Sequence, residues 1–274
     1  MPSTHQTPVV NPAYAYEEYL VPTMFLPFGI ELVALADPQP GERVLDIGCG
    51  TGIIARLIAE RLAGKGQVVG LDVNPNMVAV ARAVVAEAGL AVEFVEGDAQ
   101  ALPFPDASFD LLTWQQGLQV VPDKRAAFAE MFRVLAPGGR VLTSTWTAIE
   151  RNPFDQRIAA AVERHLGVAA FHLPFALGDA DALLHLFTAA GFSEIEYRTV
   201  ALDLRYPSAE EYIERIVIGG AAALPVFDTL DAAEQAQLID AVRTAITPIV
   251  AEYTQAGELV FVTETAHVLA RRPH

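Results

Sequence analysis

Cysteine is nearly missing from this chain: its 274 residues include one, Cys49. No intramolecular disulfide and no cysteine-rich zinc site can form, which fits a reducing compartment and a cytoplasmic protein. Basic residues are scarce as well, 18 Lys and Arg against 34 Asp and Glu, giving a formal net charge of −16. A field of that sign repels phosphate backbones and argues against a nucleic-acid partner. Long apolar runs are short of what a membrane needs. Ile216 to Phe227 reads as the longest outside the obvious strands, is interrupted by Gly219, Gly220 and Pro225, and is too short to span a bilayer. Met1 to Val10 is polar, carries Pro2 and Pro8, and lacks a basic segment leading into an apolar one. Neither a secretory signal nor a membrane partner is therefore expected. H-E-x-x-H and paired Cys/His spacings do not occur, so no metal is implied. No internal repeat or low-complexity tract is visible.

What the chain does have is enough apolar matter for a core: 52% hydrophobic against 19% charged residues. Its middle alternates strand-like and helix-like segments, the pattern of a parallel sheet covered by helices. Strands are predicted at 43–47, 67–71, 91–95, 109–114 and 140–146. Helices are predicted at 53–62, at 74–88 with Pro75 in the first turn, at 123–135 with Asp123 as N-cap, and at 182–190. Pro137-Gly138-Gly139 should break the chain before the fifth strand. Residues 194–204, with Ile195, Tyr197, Thr199 and Ala201 on one face, and 258–270, through Leu259, Phe261, Thr263, Thr265 and His267, alternate as an antiparallel pair at one sheet edge. Residues 1–38, 148–181 and 205–257 do not fit the alternation and read as helical. In a doubly wound sheet, segments inserted after strands emerge where ligands bind, so these three stretches are expected to cap the site. The expected division is a capping segment at 1–38, a core at 39–147, a cap insertion at 148–181, and 182–274 as the remainder of the core sheet with a helical insertion at 205–257.

Asp46-Ile47-Gly48-Cys49-Gly50-Thr51-Gly52 lies between the first strand and the first helix of that core. Glycines at such a turn let the backbone bend tightly and approach a ligand. Asp72 closes the next strand, where an acceptor for ribose hydroxyls belongs, and Asp98 closes the third. A dinucleotide fingerprint would want a small residue at position 53, where Ile53 stands. Asp46 ahead of the loop suits a cationic ligand group better than a pyrophosphate. S-Adenosylmethionine has a ribose, an ammonium and a sulfonium, and no phosphate. Cys49 reads as a small residue that fits the loop. His165 reads as solvent-facing and His267 as structural.

These residues, together with Gly97-Asp98-Ala99, Leu102-Pro103-Phe104, Ser108-Phe109-Asp110 and Arg133 to Gly139, resemble a class I S-adenosylmethionine-dependent methyltransferase. The similarity is greatest to the type 11, ubiquinone/menaquinone-biosynthesis-like group of small-molecule enzymes, and covers about residues 40–147. It implies a Rossmann-like, doubly wound, seven-stranded α/β sheet, mostly parallel with an antiparallel edge strand, under a helical cap. It also implies a cofactor site. Gly48, Cys49 and Gly50 would flank the methionine part, Asp46 would help hold its amino group, and Tyr19 would close over its carboxylate. Asp72 would take the ribose hydroxyls. Val73 and Met77 would pack on the adenine, with Asp98 and Ala99 at its edge. Gln115 and Gln116 would line the sulfonium and methyl end.

The implied activity is methyl transfer to an O, N or C nucleophile of a small, apolar or aromatic acceptor, by a monomer or homodimer. Candidates for the acceptor pocket are Tyr14, Phe25, Gln119, Phe154, Phe171 and His172, because such pockets are mostly apolar with few polar groups. No residue stands out as the general base. Two other functions remain open at this level: a non-methylating S-adenosylmethionine-binding protein, such as a cyclisation catalyst or regulatory module, and an NAD(P)-dependent oxidoreductase.

Overall fold

A computed structural model describes residues 12–222, 224 and 226–274. The reading of Met1 to Val10, and Pro225 within the apolar run, lie outside the described residues. Eight strands form one sheet: β1 Arg43–Ile47, β2 Gln67–Asp72, β3 Glu93–Glu96, β4 Phe109–Gln115, β5 Leu135–Trp146, β6 Ser193–Tyr206, β7 Thr254–Gln255 and β8 Glu258–Arg271. Seven follow the path β3-β2-β1-β4-β5-β8-β6, and the two-residue β7 pairs with β8 off that path. The pairs from β3 through β5 are parallel, and β8 runs antiparallel to both neighbours. This is the expected fold class, with one refinement: the reversed strand is β8, one in from the edge, and β6 is the edge. Chain order reverses between β1 and β4, so a crevice opens beyond their carboxyl ends.

Helices cover the parallel part because each crossover must carry the chain back over a face. The Ile53–Leu62 and Pro75–Ala88 helices bury Ile54, Ile58, Val78, Ala81 and Val85 on one face of β1 to β3. The Lys124–Val134 and Ala180–Ala189 helices bury Phe128, Met131, Leu183 and Phe187 on the other. Asn74 and Asp123 cap their helices, accepting from the backbone N–H of Asn76 and Ala126.

Four local expectations are corrected. Pro137-Gly138-Gly139 does not end a helix outside the sheet but lies within β5, where the register to β4 slips between Phe109↔Leu135 and Leu111↔Arg140. The irregular stretch is kept in the sheet because the Gly138 N–H donates to the Arg272 carbonyl and the Arg272 N–H to the Gly139 carbonyl, each at 2.9 Å. The third strand begins at Glu93 rather than at residue 91. Along β6 the inward face switches: Ile195 and Tyr197 face inward, then Val200, Leu202, Leu204 and Tyr206, while Thr199 and Ala201 are exposed. The switch follows from two different partners, since Ile195 and Tyr197 pack with the Ala180–Ala189 side of the core and the later residues with the cap cluster. Finally, a helix of membrane-spanning length does occur, outside the Ile216 to Phe227 run. The continuous helical segment Pro12–Ala36 is long and apolar enough to cross a membrane by length and composition, and 44% of that window is buried.

That first segment is wound as a π-helix over Tyr16–Phe25, around Pro22. Proline has no N–H to donate and its ring displaces the preceding turn, so the winding widens, and the Leu26 N–H reaches the Val21 carbonyl five residues back. The stretches 12–36, 153–175 and 206–250 meet in one apolar cluster built on Phe28, Phe154, Ile158, Tyr206, Tyr212, Val217, Ile246 and Phe261. Phe154 sits at its centre, fully buried and stacked on Phe261 with ring centroids 4.0 Å apart.

Candidate functional site

At the carboxyl ends of β1, β2 and β4 lies a cavity of about 540 Å³. The glycine loop forms its floor. Gly48 has φ +58°, and a Cβ there would stand 2.8 Å from Trp114 Nε1, so the loop and the indole fit only without a side chain. The loop is also fixed from β2: the Gly50 N–H donates to Asp72 Oδ2 at 2.8 Å, and the Asn74 N–H to Asp72 Oδ1 at 2.8 Å. Each carboxylate oxygen retains a lone pair that can accept a ligand hydroxyl. The other candidates on this wall are Val73, which is 69% exposed and so bare toward the cavity, and Met77. Asp98 and Ala99 follow at the tip of β3. The Asp98 carboxyl is held below its usual range chiefly by the Gln100 backbone N–H at 2.8 Å. Gln115 and Gln116 complete the lining from β4. The Gln115 side chain donates to the Phe25 carbonyl at 3.0 Å, tying the first helical segment to the sheet.

Three residues expected in this site stand elsewhere. Asp46 does not line the cavity; it is 1% exposed beneath the loop and accepts from the Thr113 hydroxyl at 2.9 Å. Burial pushes its carboxyl up to about 7, with Thr113 and the Ala55 N–H pulling it back and Asp72 adding repulsion. Its second oxygen, Oδ2, is buried without a partner. Cys49 is also behind the loop, its thiol raised well above the ordinary range by burial. Tyr19 faces the cap core, packed at 5.8 Å on Tyr206. The tyrosine that lines the cavity is Tyr16, one turn earlier, whose hydroxyl is 3.5 Å from the point a Cβ on Gly50 would occupy. The resemblance put Tyr19 over the loop; the structure puts Tyr16 there instead, because the π-winding shifts which face points inward. The Glu17 side chain pairs with Arg56 of the next helix at 2.8 Å, both largely buried, and anchors Tyr16 there.

A second cavity of about 300 Å³ lies between β5 and the cap. It shares Phe25, Gln116 and Val120 with the first, so the two spaces meet at Gln116. Gln116 has φ +53°, uncommon for a residue with a side chain, and is held by its N–H on the Ser144 carbonyl at 2.8 Å and its amide on the Ser144 hydroxyl at 3.2 Å. Of the acceptor candidates, Phe25, Gln119 and Phe171 line this cavity. Gln119 donates to the Gln116 carbonyl and side-chain oxygen at 2.9 and 3.1 Å, leaving its own Oε1 buried and unpartnered. Phe154 supports the cavity from behind rather than lining it. Tyr14 is 45% exposed and lines neither cavity. His172 points away, toward Glu163 at 3.2 Å, and lines neither as well.

The remaining lining is Met24, Trp146, Ile158, Pro174, Phe175, Tyr212, Ile216, Thr263 and one acid, Asp155. Sequence reasoning missed Asp155, since nothing in its local pattern separates it from a solvent-facing acid in the first turn of a helix. Its carboxyl is pushed up to about 7 by burial, opposed by hydrogen bonds from Thr263 and its own backbone.

A cofactor fits the first cavity on its own features. Acids stand at its rim, bare backbone at its floor and apolar side chains on one wall, and no Lys, Arg or His is among the described lining residues. That donor set suits a cationic nucleoside with free hydroxyls and leaves a pyrophosphate without a counter-charge.

Residues 44–139 match the family described as methyltransferase domain. Over 110 residues, 39% of this chain, the sequence is 50% identical to the ubiquinone/menaquinone biosynthesis C-methyltransferase UbiE of Xanthomonas axonopodis pv. citri, of which the match covers 44%. It is 44% identical over 123 residues to the demethylmenaquinone methyltransferase of Thermus thermophilus, covering 43% of this chain and 56% of that one. The match thus spans about half the length of the curated relatives. Among solved structures, the YcgJ protein from Bacillus subtilis superposes with a TM-score of 0.61 at 23% identity, over 90% of this chain and 98% of that one.

Proposed function

The chain carries a class I S-adenosylmethionine-dependent methyltransferase domain, and from that premise we propose that it methylates a small quinol-type aromatic acceptor. The observation that carries the reading is the meeting of the two cavities at Phe25, Gln116 and Val120: a polar-rimmed space for the cofactor opens into an apolar one for the acceptor. S-Adenosylmethionine, when bound, supplies an electrophilic methyl group on a sulfonium. The chain's contribution is binding, alignment and exclusion of water. Asp72 accepts from the ribose, Val73 and Met77 cover the adenine, and the Gly48–Gly50 backbone takes the methionine part. Tyr16 replaces Tyr19 as the lid over that part. Asp46 acts from beneath, bonded to Thr113 of β4, rather than touching the ligand. Gln116 and Phe25 stand at the junction and set the line between sulfur and acceptor.

The same proposal includes the division into a core and a three-piece cap, a cytoplasmic location, and a monomer or homodimer with no nucleic-acid or membrane partner. The net charge of −16 and the docking of Phe28, Leu32 and Val33 against the sheet and cap support these parts. Two measurements test the proposal: calorimetric titration with S-adenosylhomocysteine and NADH, and transfer of labelled methyl to a demethylated naphthoquinol. Saturable homocysteine-nucleoside binding with label in the quinol is expected. NADH binding without it, or cofactor binding with no label in any quinol, overturns the reading.

A further inference from the structure

Within that reading, we propose that Asp155 is a catalytic residue of the acceptor site, taking the hydroxyl proton of a phenol-type acceptor as its neighbouring ring carbon is methylated. Asp155 is the one acid among the described residues that line the cap cavity, and no Lys, Arg or His stands with it. Its partners are the Thr263 hydroxyl, at 3.3 Å from Oδ2, and its own backbone N–H. A carboxyl in so apolar a pocket is costly to keep ionised unless something arrives to bond it. It stands in the first turn of the Pro153–Leu166 helix, but among the described residues it joins no ion pair, and the arginines on either side are engaged elsewhere, Arg151 with Glu264 and Arg157 with Glu252. The titratable groups facing it from other elements are Tyr206 of β6 and Tyr212 of the cap, both held in the neutral form by burial. Four aromatic side chains, Phe25, Trp146, Phe171 and Phe175, are among the walls and suit an aromatic acceptor.

The step balances as follows. The acceptor O–H breaks and its proton passes to the carboxylate. The freed electron pair moves into the ring, whose carbon bonds the methyl, and the electrons of the broken S–C bond stay on sulfur. The ring C–H proton is then lost to water, and the carboxyl returns its proton to the oxygen. A base serves best when its pKa lies near the working pH, and burial has brought this carboxyl there.

The test uses 1-naphthol and 1-methoxynaphthalene, which differ in the hydroxyl proton, titrated into the full chain with and without S-adenosylhomocysteine. At pH 8 naphthol should bind about tenfold more tightly than its ether, as one charge-assisted hydrogen bond provides. That preference should shrink below pH 6 and vanish in Asp155→Leu, while S-adenosylhomocysteine affinity is unchanged. With a naphthoquinol acceptor, Asp155→Asn should lose at least about 100-fold in kcat, and Asp155→Glu should recover part of it with a displaced pH profile. Equal affinity for the two naphthalenes, a preference that survives Asp155→Leu, or tighter binding of 1-naphthylmethylammonium than of naphthol would overturn the assignment. Failure of S-adenosylhomocysteine to bind would instead overturn the methyltransferase reading, and the naphthol comparison reads Asp155 in either case.

Discussion

The two cavities share a wall but are made in opposite ways. The cofactor cavity is built from consecutive strand tips and a loop within residues 46–122, joined by Tyr16 and Phe25. Its shape is fixed by backbone: the Gly48 turn, the Asp72 bonds to Gly50 and Asn74, and the parallel register of β1, β2 and β4. The acceptor cavity draws on residues from Met24 to Thr263, in segments far apart in the chain, and its shape is fixed by side-chain packing. A backbone-built site fails through a few specific atoms, whereas a packing-built site fails through loss of volume anywhere in the cluster.

The contrast predicts distinct failures. Asp72→Ala should cost the most, removing the anchor of both Gly50 and Asn74 together with the ribose acceptor. S-Adenosylhomocysteine affinity should fall by about 100-fold or more, read by calorimetry, because charge-assisted bonds contribute roughly 1.5–3 kcal/mol each. Unchanged affinity would remove Asp72 from the cofactor site. Phe154→Ala should destabilise the fold by about 3–5 kcal/mol in denaturant titration, as expected for a large aromatic deleted from a full core. What remains folded should bind S-adenosylhomocysteine nearly as well as the parent; equal damage to cofactor binding would show that the two cavities are one packing unit.

Stability should also depend on pH through Asp46. Its carboxyl lies at about 7 in the folded chain and near the ordinary value of 3.8 when unfolded. Between those values the folded state holds the extra proton. The stability this confers is therefore full below about pH 4 and is lost as pH rises through 7, at up to about 1.4 kcal/mol per unit. Melting temperatures measured from pH 5 to 8 should fall, and Asp46→Asn should lessen the slope, the remainder coming from Asp155, whose carboxyl is raised in the same way; an equally steep curve in that variant would sink the assignment. The smallest effect is expected at the anchor of the first helical segment. Glu17→Gln should weaken S-adenosylhomocysteine by about two- to fivefold, since a partly buried pair contributes on the order of 1 kcal/mol.

The parallel half of the sheet was readable in the sequence because each strand there is short, apolar and ended by a turn signal. The Gly48 loop, Asp72 and Asp98 could be placed for the same reason: a ligand that meets backbone at strand tips needs particular residue types at fixed local spacing. Gln115, which ends β4, and Gln116, just past it, came from the family resemblance. The reading weakened where position depends on packing. Tyr19 was named where Tyr16 lines the cavity, since Pro22 winds the helix to five residues per bond and rotates its faces. Ile195 to Ala201 was assigned one face, but β6 serves two cores in succession. Tyr14, Phe154 and His172 were candidates by composition and stand outside the acceptor cavity.

By itself, then, the sequence determined the Rossmann-like sheet, its glycine turn and the acids that suit a sulfonium nucleoside, because local hydrogen bonding and strand periodicity are written residue by residue. Only the tertiary structure decided which aromatic covers the loop, that Asp46 lies beneath it, and that Asp155 meets Phe25, Phe171 and Thr263 around one space. Those relations depend on how distant segments pack, and no spacing within a single segment encodes them.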